Sequence, residues 1–113
     1  MTTPVELRLR AAADVDVAID YYQRQGGASL AVRFIDVLED ALGYLARQPA
    51  VGSLRLSHEL DIPDLRVWPL PTFPYLVFYV DRGEHVDVWR VLHAHRNLPI
   101  SLVPRDPPDE DPT

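Results

Sequence analysis

Residues 64–97 read DLRVWPLPTFPYLVFYVDRGEHVDVWRVLHAHRN, and the stretch carries strand signals one after another. The run 75–80, Tyr-Leu-Val-Phe-Tyr-Val, is apolar and aromatic without a break, as expected of a central strand covered on both faces. Asp81-Arg82-Gly83-Glu84 follows as a hairpin turn, with Gly83 suited to positive φ. The return strand covers 85–93, and alternation there sets Val86, Val88, Arg90 and Leu92 on one face against Asp87, Trp89, Val91 and His93 on the other. Ahead of both, 65–70 is a short strand punctuated by Pro69 and Pro71, which places it at an edge, a bulge or a strand end.

Toward the N-terminus the pattern changes period. Residues 5–10, Val-Glu-Leu-Arg-Leu-Arg, alternate strictly and predict a half-buried strand with Val5, Leu7 and Leu9 on one face. Residues 11–25 carry Val15, Ile19 and Tyr22 at helical spacing, with Asp14 and Asp16 near the start, where they favour the helix dipole. Gly26-Gly27 ends that helix. Ser29 caps a second one, whose Phe34, Leu38, Ala41, Leu42 and Leu45 form an apolar stripe that Pro49 closes. Helices joined by so short a link pack as an antiparallel hairpin. Residues 50–63 keep no period and read as a loop. The order is therefore β-α-α-β-β-β, an α+β fold with a two-helix hairpin on one face of an antiparallel sheet.

Length and composition bound the function classes. The 113 residues fit one domain, with a hydrophobic share of 47% and a charged share of 25% that are ordinary for a globular protein. No apolar run approaches the roughly 20 residues that span a bilayer, and the first residues lack the pattern of a secretory signal. A cytoplasmic, membrane-free protein is expected. Cysteine is absent, which removes disulfides, thiolate metal sites and a Cys nucleophile. All 11 basic residues are Arg, and the formal net charge of −6 argues against specific DNA binding through a broadly basic surface. Half of that charge lies in residues 104–113, where Arg105 faces Asp106, Asp109, Glu110 and Asp111 among Pro104, Pro107, Pro108 and Pro112. Such a segment buries too little apolar surface to offset its ordering entropy, so the expected division is a domain over 1–103 and an acidic, Pro-rich, disordered tail.

The succession Leu65-Arg66, Pro74-Tyr75-Leu76-Val77-Phe78-Tyr79, Val88-Trp89-Arg90-Val91-Leu92-His93 and Arg96 resembles the sheet of the RelE/ParE superfamily of bacterial toxins, the ParE branch most of all. The resemblance spans roughly residues 4–100 and agrees with the element order above. It implies the toxin half of a type II toxin-antitoxin pair that stabilises a plasmid or chromosomal segment. It further implies inhibition of DNA gyrase by binding, without a cofactor, and neutralisation by a ParD-like or related antitoxin. Antitoxin tails of this family fold on their toxins as a helix followed by an extended segment, so the outer side of the helices plus an edge strand is the expected capture groove.

A different activity is implied by the RelE branch, whose members cut mRNA on the ribosome. Their centres need a base for the 2′-hydroxyl, an acid for the leaving oxygen and cations for the developing charge. Here Arg66, Tyr75, Arg90 and His93 would be the catalytic set. The chain departs from that branch in having no Lys and in running Asn97-Leu98-Pro99-Ile100 after Arg96, without a late Tyr. The binding toxin is accordingly the reading taken, with the ribonuclease and a non-toxic antitoxin-binding module as alternatives. Candidate target-binding residues are Arg66, His93, His95 and Arg96, because imidazole titrates near neutrality and Arg holds phosphate or carboxylate bidentately. Arg90 interrupts an apolar row, so it either pairs with a carboxylate of the fold or receives an external anion. His93-Ala94-His95 lacks further ligands for a metal, and none is expected.

Overall fold

The computed structural model describes residues 2–95. Six elements follow in the order β1 (Val5–Leu7), α1 (Leu9–Arg47), α2 (Arg55–Leu60), β2 (Leu65–Pro69), β3 (Tyr75–Asp81) and β4 (Val86–His93). The last three strands form an antiparallel meander, and β1 lies parallel beside β4, giving the mixed sheet β1-β4-β3-β2. The chain thus leaves one edge of the sheet, crosses a face as α1 and returns at the opposite edge.

α1 is two helices in one. At Gly26 and Gly27 the backbone leaves helical geometry, and Gly27 has φ 76°, a conformation glycine adopts without a Cβ clash. The arms 9–25 and 28–47 fold back so that Tyr22 and Phe34 lie with ring centroids 5.2 Å apart. Phe34, Leu38, Ala41 and Leu45 are buried as the stripe requires, with Leu42 half-buried beside them. From the sheet, Tyr75, Val77 and Tyr79 face this layer, while Leu65, Phe78 and Val80 turn the other way and pack with Ile62.

The structure corrects three expectations. The first strand ends at Leu7 rather than at residue 10: Leu9 opens the helix and is 89% exposed. Ala11-Ala12-Ala13 are the strongest of helix formers, and the helical spacing of Ala11, Val15, Ala18 and Tyr22 overrides the alternation before it. Residues 50–63 are not all loop. They contain α2, which sets Leu56 and Leu60 against the second cluster, and Ser53, which bridges antiparallel to Val67. Finally, the alternation of β4 is broken. Phe78 opposes Arg90 and Tyr79 opposes Val88, so Trp89 is the extra residue of a β-bulge. Val86 and Val88 face the helices before the bulge and Val91 faces them after it, whereas Trp89 and Leu92 face away.

Candidate functional site

The polar sheet residues singled out in the sequence fall into three groups, set by the register of the strands. At the end of β4, Tyr75 opposes His93. Their rings meet edge to face at 5.4 Å, and the His93 and His95 rings lie 5.6 Å apart. The backbone N–H of His95 donates to Nδ1 of His93 at 3.2 Å, which leaves Nε2 as the protonated nitrogen of a neutral His93. Tyr75 is buried and continues into a ring cluster with Tyr22, Phe34 and Phe73, so its ring is fixed. Burial holds the Tyr22 phenol above its ordinary range, and the nearby Tyr75 and Tyr21 phenols add to the shift. His95 is exposed and His93 half-buried. Arg96 lies outside the described residues, as does the tail 104–113.

Arg90 belongs to a second group at the bulge. Its Nε and Nη2 donate to Oδ2 and Oδ1 of Asp14 at 2.7 and 2.9 Å, and the N–H of Val91 donates to Oδ2 at 3.0 Å. Both side chains are only 14% exposed. Of the two roles open to Arg90, this geometry realises the structural one: a carboxylate from the first arm closes the bulge and neutralises the guanidinium.

Arg66 sits at the other end of the sheet. It opposes Tyr79, four residues along β3 from Tyr75 and so roughly 13 Å distant by strand rise. Its Nη1 donates to the carbonyls of Ala50 and Gly52, both at 2.8 Å. The Tyr79 hydroxyl donates to Pro49 O at 2.8 Å and accepts from Gly52 N at 2.9 Å. Arg66 and Tyr79 therefore clamp the turn that follows α1. Burial raises the pKa of Tyr79, with the Gly52 N–H and the Arg66 charge opposing the shift. Gly52 is required by contact rather than by φ, since a Cβ there would lie 2.6 Å from the Tyr79 hydroxyl. The structure thus brings Tyr75, His93 and His95 together and places Arg66 and Arg90 elsewhere, each engaged within the fold.

A further node escaped the sequence reading. Asp87 is 7% exposed, on the sheet face opposite α1. It accepts from Arg8 Nε and Nη2 at 3.1 and 3.0 Å, Arg82 Nε at 3.1 Å and Trp89 Nε1 at 3.1 Å. The Arg8 guanidinium also lies 4.5 Å above the Trp89 ring. Burial alone would raise the Asp87 pKa, but the hydrogen bonds from Arg8, Trp89 and Arg82 outweigh it and hold the carboxyl below its usual range. The signal was present in the sequence as an acid between Val86 and Val88.

Residues 5–98 match the sequence model of the family described as ParE toxin of type II toxin-antitoxin system, parDE. The chain belongs to the ParE toxin family. Its fold is similar to that of a solved chain described as chromosomal ParDE TA system from P. aeruginosa, with a TM-score of 0.69 and 18% identity. That similarity covers 83% of this chain and 98% of the other. No curated protein matched the chain in sequence. The α+β architecture read from the sequence, with its helical hairpin on one sheet face, is the architecture of a ParE-type toxin. Among the described residues no helix is long and apolar enough to cross a membrane.

Proposed function

We propose that this chain is a toxin that inhibits DNA gyrase by binding it in the cytoplasm, and that a cognate ParD-like antitoxin neutralises it. The observation that carries the proposal is the family match across residues 5–98. The side-chain geometry supports binding over cleavage. Of the four residues that an mRNA endonuclease would use, Arg66 is tied to two carbonyls and Arg90 to Asp14, so these two guanidinium groups are each engaged within the fold. The target surface in this proposal is the end of β4, where the half-buried His93 lies between the buried Tyr75 ring and the exposed His95.

The test is to induce the chain in bacteria without antitoxin and follow labelled thymidine and labelled methionine over the first minutes. Early loss of thymidine incorporation, with purified chain blocking gyrase supercoiling, is the expected result. Early loss of methionine incorporation would replace gyrase by the ribosome, and loss of neither would leave an antitoxin-binding module without toxicity. Substituting His93 and His95 together by Ala is expected to abolish gyrase inhibition while antitoxin binding persists.

A further inference from the structure

We propose that the chain's own segment 98–103, Leu-Pro-Ile-Ser-Leu-Val, docks across the end of the sheet on the face opposite α1 and fills the groove between α2 and β2. Such docking goes beyond the toxin-antitoxin reading and does not depend on it. On this face α2 packs against β2, and the strands past it are less covered. Register sets Pro69, Leu76 and Leu92 in one row across β2, β3 and β4. Leu76 and Leu92 turn away from α1, yet both are only half-buried, and Pro69 is exposed. Leu56, Val67, Pro69 and Leu76, with Ser53 and Arg55, line a groove of about 300 Å³ at that end of the sheet.

The course of the chain points to the occupant. β4 ends at His93, one residue past Leu92, so the chain leaves the sheet at the open end of this face. In the sequence that follows, Leu98, Ile100 and Leu102 alternate, and Pro99 biases Leu98 toward extended backbone. An extended run of this pattern has one apolar side. At about 3.3 Å per residue the six residues reach roughly 20 Å, whereas strands about 4.8 Å apart set β2 roughly 10 Å from β4. Residues 94–97 provide the turn. A segment joined so closely to β4 is held at an effective concentration of about millimolar, so a shallow groove fills without a large intrinsic affinity.

The backbone and the charges decide how the segment is held. At the β2 edge, Val67 exchanges both of its hydrogen bonds with Ser53, and Pro69 has no N–H, so strand addition is closed there. Side chains must make the contact. Arg55 is the one charged residue in the groove lining among the described residues, and it already pairs with Glu59 at the surface. Docking is therefore apolar and persists at high salt.

The experiment uses the full chain, which has no cysteine, so an introduced pair reports proximity without a competing thiol. Arg55→Cys lies in the groove lining, and Asp16→Cys lies on the first arm of α1, on the other side of the sheet; both positions are exposed, and the fold should tolerate both changes. Each is combined with Ile100→Cys and, separately, with Leu102→Cys, and disulfide closure under mild oxidant is timed on non-reducing gels at low and high salt. At least one Arg55 pair is expected to close within single chains about tenfold faster than its Asp16 counterpart, with little effect of salt. Equal rates for the Arg55 and Asp16 pairs overturn the proposal, as does failure of both Arg55 pairs to close. Closure between chains that rises with protein concentration also overturns it, by giving the face to a second copy. None of these outcomes bears on gyrase inhibition, which the thymidine experiment decides.

Discussion

On the helix side of the sheet, Tyr22, Phe34, Phe73 and Tyr75 meet ring to ring within a cluster that extends along both arms of α1. On the opposite side the buried apolar residues are Ile62, Leu65, Phe78 and Val80, and the layer is completed by Asp87 with Arg8, Arg82 and Trp89. A hairpin of two long arms can cover a sheet with hydrocarbon, whereas the six residues of α2 cover only a corner. Where hydrocarbon runs out, an ionised carboxylate organises the surface. One side of the molecule should therefore lose stability through cavities, and the other through charge and pH.

The largest effect is expected on the helix side. Phe34 is completely buried and touches the rings of Tyr22, Phe73 and Tyr75. Phe34→Ala should cost about 3–5 kcal/mol in urea unfolding, with the loss independent of pH between 4 and 8. A loss below about 1 kcal/mol would mean that the rings close the space and that the two sides do not differ as described.

Asp87→Asn probes the other side. It removes the charge that Arg8 and Arg82 share, yet both arginines are at least two-fifths exposed and regain water. The expected cost at neutral pH is about 2–3 kcal/mol, below that for a fully buried pair. Because the folded carboxyl titrates below its unfolded value, its contribution is complete above about pH 4 and is lost as the pH falls through the folded pKa. Wild type and Asp87→Asn should thus converge in acid, while the gap between wild type and Phe34→Ala stays open. Parallel acid profiles would remove Asp87 from the account of that side.

The two sides also differed in how readable they were. Phe34, Leu38, Ala41 and Leu45 declare the helix side through local spacing, and the run Tyr75–Val80 declares a strand covered twice. The side opposite α1 depends on contacts remote in sequence: Asp87 finds Arg8 79 residues away, and no periodicity encodes such a pair. α2 was missed because a turn and a half of helix is too short to repeat a pattern, and its buried residue is Ser57, whose hydroxyl donates to Ile62 O. The bulge at Trp89 follows from the same limit. It shifts Val91 and Leu92 to faces that strict alternation denies them, and the Asp14 carboxylate that settles it lies 76 residues upstream. The family resemblance located the histidines and arginines in the sequence, but only the strand register separates Arg66 and Arg90 from the Tyr75–His93 pair.

A smaller effect is expected where the two sides meet at the sheet's edge. Gly52→Ala would drive a methyl against the Tyr79 hydroxyl and to 3.0 Å from the Arg66 Cβ, breaking the clamp on the turn after α1. Overpacking of this kind should cost about 1–3 kcal/mol, and Tyr79→Phe, which deletes the hydroxyl that the methyl meets, should make the added cost of Gly52→Ala smaller. Additive losses in that double-mutant cycle would place the strain somewhere other than at the Tyr79 hydroxyl.

The smallest effect sharpens the comparison by supplying its baseline. Arg24 and Asp20 form an ion pair on the first arm with 75% and 58% of their side chains exposed. Water already stabilises each partner and salt screens their attraction, so Asp20→Asn should change stability by no more than about 0.5 kcal/mol. Set against Asp87→Asn, this separates the chemistry of an ion pair from its surroundings, because both substitutions remove one carboxylate charge facing arginine. If the two variants lost the same stability, burial would not be what gives Asp87 its weight. A clear excess for Asp87, vanishing in acid, would tie the stability of the side opposite α1 to the ionisation of that one buried group.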